Sequence, residues 1–241
     1  HKLFERTGKG LKINEAGRQA LLSFKGVRGT LEKLQNELHE MQQGHSGRLS
    51  VGSLMAASPT HLTLALVKIQ KERPHLSLQV EVGTSEHLMA MLDEGLLDVV
   101  IGRVPNFADP YHFRPLAKEP ISLVSAISHP LGKSKKLTFE RLSQYSWVLP
   151  PIGTPMREAI DNEFFIHHTL LPKGLLETSS TMITVHLVSK TQMIAGLPQS
   201  VALGFQKHQM LKILAYKLDQ SLASYGSVVR SDRPLSKQTE H

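Results

Sequence analysis

The residues of this chain that could take part in chemistry are polar side chains placed where a predicted strand ends and a helix begins. They are Ser58, Thr84, Ser85, Arg103, Thr154 and Thr178. Hydroxyl groups and free backbone N–H groups at a helix start, together with the two-point fork of an arginine, bind small anions. These residues therefore predict a pocket for a small anion such as a carboxylate. Taken alone, each hydroxyl fits an ordinary helix N-cap, and Arg103 fits a surface ion pair with Asp109.

No catalytic or metal-binding signature accompanies these groups in the sequence. The patterns G-x-S-x-G, G-x-x-x-x-G-K-[ST], G-x-G-x-x-G and H-E-x-x-H are all absent. The thirteen histidines include the neighbours His167 and His168, which would face different sides of a helix, and His39 and His45, which lie across a helix end. Neither pair has the spacing of metal ligands. The chain has no cysteine, which excludes thiolate metal sites and a cysteine nucleophile. Since no catalytic or metal-binding motif is present either, the sequence predicts no enzyme, no metal and no cofactor.

Length and composition predict a folded protein with one large domain or two small ones. The chain has 241 residues, of which 40% are hydrophobic and 20% charged, so it is not a disordered chain. No run approaches the roughly 18 apolar residues of a membrane helix, and the basic N-terminus lacks the apolar stretch of a signal peptide. We therefore expect a cytoplasmic protein without a membrane partner.

The basic charge is concentrated at the N-terminus. Residues 1–28 carry seven basic and two acidic side chains, a net charge of +5, whereas residues 29–241 have a net charge of only +2. A basic arm on a nearly neutral body predicts contact with a polyanion at one end. The alternative is a solvated tail.

A heptad pattern in the N-terminal region predicts a helix that pairs with its own copy. Residues 3–13 have the pattern of a hairpin around Gly8-Lys9-Gly10, and Asn14 is a candidate N-cap for a helix over residues 15–43. The apolar residues of this helix follow one another at intervals of 3, 4, 3, 4 and 3. This heptad seam consists of Phe24, Val27, Leu31, Leu34, Leu38 and Met41. Such a seam packs against another helix, and the alternative is one amphipathic helix lying on its own core.

Strand and helix patterns alternate along the rest of the chain. Strands are predicted over residues 48–54, 76–82, 96–101, 121–128, 146–149, 175–178, 192–195, 211–218 and 225–230. Helices are predicted after Ser58, after Thr84 or Ser85, from Thr154 to about 168, over 180–189 and after Pro198. This alternation predicts two α/β lobes with mostly parallel sheets and a cleft between them, and ligands of such folds bind at the carboxyl ends of the strands.

The motifs of this chain resemble those of LysR-type transcriptional regulators. The pattern Leu3-Phe4-Glu5-Arg6 followed by residues 10–17 resembles a wing and the helix after it. Further matches are residues 47–52, Pro74, residues 95–101, His129-Pro130-Leu131, Arg157 and residues 233–236. They recur in order along almost the whole chain. Residues 101–103 and 147–155 resemble the subgroup named for a regulator of a galactose-binding protein.

The resemblance implies a winged helix-turn-helix, a dimerising linker helix and two Rossmann-like lobes of the periplasmic-binding-protein type II architecture. Its domains would be a wing at 1–14, a linker helix at 15–44, lobe I at 48–122 with 224–241, and lobe II at 123–223. Effector contacts would fall on Ser58, Thr84, Ser85, Arg103, Thr154 and Thr178, and contacts to the DNA backbone on Arg6 and Lys9. Members act as dimers of dimers, so a homodimer or homotetramer is expected, with DNA and a small effector as partners.

One departure and two alternatives qualify this interpretation. The sequence starts inside the wing, so the helices that would read the DNA major groove are expected to be missing, and wing contacts to phosphate carry no sequence information. A solute-binding protein of the same two-lobe fold would need a secretion signal and no heptad helix. An enzyme on this fold would need an acid/base pair at the cleft. The sequence therefore favours a ligand-responsive, DNA-binding transcriptional regulator.

Overall fold

The computed structural model describes residues 2–8, 10–42, 47–103, 110–172 and 174–232. These residues form two compact units. The first takes the described residues of His1–Leu54, His61–Leu116 and Tyr225–His241, and the second takes Met55–Thr60 and Ala117–Ser224. The division into wing, linker and two lobes with the boundaries given above stays a prediction.

The chain begins with the predicted hairpin and long helix. Strands β1 (Phe4–Thr7) and β2 (Gly10–Ile13) pair antiparallel. Helix α1 (Glu15–Gln42) follows, and the Asn14 side chain caps it by accepting a hydrogen bond from the Gly17 N–H at 2.9 Å. The predicted N-cap is confirmed. At about 1.5 Å per residue, α1 is about 42 Å long.

The first unit contains a five-stranded sheet with helices packed against it. Its strands are β3 (Arg48–Ser53), β4 (Ser77–Val82), β5 (Val99–Gly102) and the greater parts of β6 (Tyr111–Glu119) and β12 (Leu222–Arg230), and its helices after α1 are α2 (Thr63–Glu72) and α3 (Ser85–Glu94). The strand order is β4-β3-β5-β12-β6. Close packing at the centre is visible at Gly52, where a Cβ atom would lie 2.7 Å from Leu97 Cδ1 and 3.0 Å from Leu88 Cδ2.

Two expectations about this unit are wrong. The sheet is mixed rather than mostly parallel, because β12 re-enters it without a helical crossover and runs antiparallel to β5. The α-helix expected to begin at Pro59 under a Ser58 cap begins instead at Thr63. A π-helical turn over Ser58–Leu62 precedes it, and its wider i→i+5 hydrogen bonds replace those of an α-helical first turn.

The second unit repeats the arrangement of a sheet between helices. Its strands are β7 (Ile121–Ser125), β8 (Trp147–Leu149), β9 (Leu176–Glu177), β10 (Ile194–Pro198) and β11 (Lys212–Lys217). Its helices are α4 (Phe139–Leu142), α5 (Pro155–Ile166), α6 (Thr181–Lys190) and α7 (Gln199–Lys207). The order is β11-β7-β10-β8-β9, with β8, β9 and β10 parallel and β7 antiparallel to both β10 and β11. This sheet is also mixed, against the expectation.

Apolar side chains fill both faces of the second sheet. One layer is centred on Trp147, Phe139, Ile160 and Phe164, and the other contains small and β-branched residues such as Val185 and Val201. The indole N–H of Trp147 donates to the Leu142 carbonyl oxygen at 3.1 Å, so its polar atom is satisfied inside the core. Within the described ranges, no helix is both long and apolar enough to cross a membrane.

Candidate functional site

Three of the predicted effector residues lie together at the strand ends of the first unit. Thr84 caps α3, since its Oγ1 accepts a hydrogen bond from the His87 N–H at 3.3 Å. Ser85 is the first residue of that helix, and its Oγ accepts from the Arg103 N–H at 3.3 Å. Because β4 and β5 run parallel to β3, the residues that follow them meet at one edge of the sheet. The structure therefore brings Thr84, Ser85 and Arg103 together.

Arg103 faces a tyrosine on the neighbouring strand. Strand β12 pairs antiparallel with β5, with Gly226 opposite Gly102, so Tyr225 stands opposite Arg103. Burial lowers the pKa of the Arg103 guanidinium, and the nearby Tyr225 acts in the opposite direction. The guanidinium keeps its charge at neutral pH because an arginine does not deprotonate in proteins. This edge of the sheet therefore holds a partly desolvated positive charge.

A histidine completes the group. The Nδ1 atom of His61 lies 3.0 Å from the Tyr225 hydroxyl oxygen, and the two rings meet edge to face with their centroids 5.9 Å apart. No sequence pattern marks either residue as part of the site. Tyr225 stands only at the start of a predicted strand, and its place opposite Arg103 depends on the antiparallel pairing of β12.

The two predicted hydroxyl residues of the second unit also lie close together. Thr154 caps α5 by accepting from the Arg157 N–H at 3.4 Å, and its hydroxyl donates to the Pro151 carbonyl oxygen at 2.8 Å. Thr178 follows β9, and its Oγ1 accepts from the Ser180 N–H at 3.1 Å. The backbone N–H of Thr178 donates to the Leu149 carbonyl oxygen at the end of β8. Both hydroxyls thus stand at the carboxyl ends of adjacent parallel strands.

Arg157 holds together the chain segments that carry these two threonines. Its Nε lies 2.8 Å and 2.9 Å from the two carboxylate oxygens of Asp161, and its Nη1 donates to the Pro150 carbonyl oxygen and to Glu177, both at 3.1 Å. The side chain is only 5% exposed. Arg157 therefore ties together the ends of β8, β9 and α5, and this explains its place among the motif residues without a ligand contact.

Two of the predicted contact residues have side chains that the structure does not describe. The side chain of Ser58 is one of them, although its backbone opens the π-helical turn, and residues 55–60 group with the second unit. Lys9 is the other, and it lies outside the described residues, as does Asp109, the alternative ion-pair partner of Arg103. Arg6 lies on β1 and is exposed to solvent. Among the described residues, no group of three histidine, aspartate or glutamate side chains is arranged to hold a metal ion.

The heptad seam of α1 is open to solvent in the single chain. Its residues Phe24, Val27, Leu31, Leu34 and Leu38 are all more than half exposed. The sixth residue, Met41, lies in the helix but its side chain is not described. A continuous exposed apolar stripe of this kind is typical of an interaction surface.

Comparison with protein families decides the identity of the chain. A family described as the LysR substrate binding domain matches residues 42–241. The chain belongs to this LysR family. The HTH-type transcriptional regulator GbpR of Azospirillum brasilense is 27% identical over 237 residues, which cover 97% of this chain and 69% of that protein. The prediction of a LysR-type transcriptional regulator is confirmed.

Solved effector-binding and regulatory domains have the same fold. The effector binding domain of QuiR in complex with shikimate aligns with a TM-score of 0.65 and 19% identity, over 81% of this chain and 92% of that one. The Synechocystis PCC6803 CcmR regulatory domain in complex with 2-PG aligns with a TM-score of 0.67 and 18% identity, over 81% of this chain and 93% of that one. The predicted α/β class, with two lobes of the periplasmic-binding-protein type, is confirmed. The chain is part of a ligand-responsive transcriptional regulator of the LysR family.

Proposed function

We propose that a small anionic effector binds at the strand-end residues and alters the DNA contacts of the oligomer. The observation that carries this proposal is Arg103, a partly desolvated cation at the carboxyl end of β5, with Ser85 and Thr84 beside it. A cation that has lost part of its hydration gains more from an anionic ligand than an exposed one does. The positive end of the α3 dipole lies at the same edge and favours the same charge.

The other predicted effector residues extend this proposal. Ser58, Thr154 and Thr178 are the remaining hydroxyl residues at which we propose contact with an effector. Domains of this fold have been solved in complex with small molecules, namely shikimate and 2-PG. These structures support the class of ligand as a small metabolite, and the six named residues are the positions at which we expect it to bind.

The heptad seam supports a homodimer, with a homotetramer as the next level of assembly. Five seam side chains lie exposed on one face of α1, and packing them against a second copy would remove this apolar surface from water. DNA is the second partner that we propose, because the relatives are named as HTH-type transcriptional regulators. Arg6 and Lys9 would add phosphate contacts, which position a protein on DNA without reading its sequence.

We infer further that the protein acts in the cytoplasm, because a regulator of this bacterial family binds its DNA there. We also infer that it catalyses no reaction and needs no cofactor. Its curated relatives are named as regulators of transcription rather than as enzymes. A turnover screen that detects no product would support this inference. The alternative of a free solute-binding protein is weakened by the family match and by the exposed heptad seam.

Calorimetry with a panel of small carboxylates tests the effector site. Charge-assisted hydrogen bonds contribute about 1.5–3 kcal/mol each, so Arg103→Ala should weaken binding by roughly 10- to 150-fold, at about 1.4 kcal/mol per tenfold. Arg103→Lys should recover only part of the loss, because an ammonium group cannot make the planar two-point contact. Arg141→Ala, at an exposed arginine on α4, is the matched control and should change nothing. Equal affinity of all four proteins for the ligand would show that Arg103 is structural.

A further inference from the structure

The linker helix α1 makes a close backbone contact with α3 at a glycine. Gly29 is buried, and a Cβ atom placed on it would lie 1.8 Å from the carbonyl oxygen of Glu94, the last residue of α3. No side chain fits at this distance. Gly29 therefore allows the backbone of α1 to lie directly on the end of α3, although a glycine within a helix costs about 1 kcal/mol relative to alanine.

Charged groups reinforce this contact. The carboxyl end of a helix carries a partial negative charge, and Glu94 adds a full one. The Lys25 Nζ lies 2.7 Å from Glu94 Oε1, and the Arg28 Nη2 lies 3.6 Å from Glu94 Oε2. Because the Glu94 side chain is only 16% exposed, these pairs are screened less by water than pairs on an open surface. Both basic residues lie close to Gly29 on α1, within about one turn of the helix.

The other end of α3 carries the proposed effector residues. Thr84 caps the helix and Ser85 holds the backbone of Arg103. A ten-residue helix is about 15 Å long, so α3 spans the distance from the effector edge to α1 in one rigid piece. Its last turn is also held from the sheet side, because Asp93 accepts from the Tyr111 hydroxyl at 2.8 Å and pairs with Arg230 at 2.6 Å.

We infer that Gly29 and Glu94 are positioning residues that couple the effector edge of the first unit to the linker helix through α3. A displacement at Thr84 and Ser85 is carried along α3 and reaches α1 at the Gly29 contact. The regulatory meaning of this coupling rests on the proposed function, whereas the coupling itself is a mechanical property of the chain. On this inference α1 uses two of its faces for binding. The heptad seam binds a second copy of the chain, and the face that contains Gly29 packs against α3 of the same chain.

Hydrogen–deuterium exchange on the full chain without ligand tests the coupling. Gly29→Ala should raise amide exchange about tenfold or more in residues 24–34 and in the last turn of α3, because the added methyl group separates the two helices. The same variant should raise exchange at the first-turn amides of α3. The matched control is Gly204→Ala in α7, where an added Cβ atom would meet no described atom within 4 Å outside its chain neighbours and its own helix backbone, and it should leave α1 and α3 unchanged.

A reciprocal variant makes the test decisive. Thr84→Ala removes the cap of α3 and should raise amide exchange in α1 severalfold in the wild-type background. In the Gly29→Ala background it should leave exchange in α1 unchanged, because α1 is already separated from α3 there. An equal rise in both backgrounds, or no rise in either, would overturn the inference. If Gly29→Ala unfolds the unit, Glu94→Gln replaces it, since this variant keeps the shape and removes the charge. None of these measurements includes an effector, so a failed carboxylate titration and a failed coupling remain separate results.

Discussion

Replacing two leucines of the heptad seam by aspartate should break the proposed dimer. Leu31 and Leu38 are 61% and 54% exposed in the single chain, and both belong to the stripe that we expect a second copy to cover. Full burial of a leucine side chain contributes about 1.5–3 kcal/mol. Scaled by these exposed fractions, the two residues contribute roughly 2–3 kcal/mol per chain, and about 3–7 kcal/mol in a two-fold dimer.

This free energy converts into a large change in association. At about 1.4 kcal/mol per tenfold, Leu31→Asp with Leu38→Asp should raise the dimer dissociation constant by about two to five orders of magnitude. Light scattering and analytical ultracentrifugation over a concentration series measure this dissociation constant directly. The double variant should be monomeric where the wild type is dimeric, with unchanged circular dichroism, since neither leucine contributes to the core of its own chain.

A control with the same chemistry and spacing is available on the same helix. Gln35 and Gln42 are also seven residues apart and exposed, but lie one position beyond the seam. Gln35→Asp with Gln42→Asp adds the same two charges and should leave the dimer intact. A wild type that is monomeric at micromolar concentration, or equal dissociation of both double variants, would refute the assignment of the seam.

Two further predictions concern stability. His168 and Gln209 have positive φ angles of 51° and 55° after α5 and α7. A left-handed backbone costs a residue with a Cβ atom about 1–2 kcal/mol, and glycine loses about 0.4–1 kcal/mol more than alanine through the entropy of the unfolded chain. His168→Gly and Gln209→Gly should therefore each stabilise the protein by roughly 0.5–1 kcal/mol in denaturant titrations. Burial, with the neighbouring Asp93 carboxylate, raises the pKa of Tyr111 to about 12. The unfolded chain loses this proton near pH ~10. The free energy of unfolding should therefore fall as the pH rises from about 10 towards 12. Tyr111→Phe should flatten that decline, and an unchanged slope would show that the Tyr111 hydroxyl is not its source.

Local signals make the N-terminal region predictable. The Asn14 cap, the hairpin glycines and the heptad spacing depend on residues close together in sequence, and the structure has all three. Strand β6 escapes prediction for a local reason as well. Its sequence YHFRPLAKE contains charges and Pro115, and a proline is tolerated only because β6 lies at the edge of its sheet.

The partners of the site residues depend on contacts between distant parts of the chain. The meeting of Ser85 with Arg103 could be predicted, because the carboxyl ends of parallel strands share one edge of a sheet. The meeting of Arg103 with Tyr225 could not, because nothing in the local sequence indicates the direction of β12. The sequence alone marks Gly29 only as a weak point of α1, since its contact with Glu94 joins residues far apart in sequence.

The position of β12 between β5 and β6 also bears on how the protein folds during synthesis. This strand is made of residues 222–230, so the ribosome completes nearly the whole second unit before it supplies the strand that joins β6 to the rest of the first sheet. Until then β6 has an unpaired edge, and exposed strand edges in incomplete chains promote aggregation. A nascent chain halted before residue 222 should therefore contain a folded second unit and a first sheet that lacks β12. This intermediate is the stage at which a chaperone would be needed most.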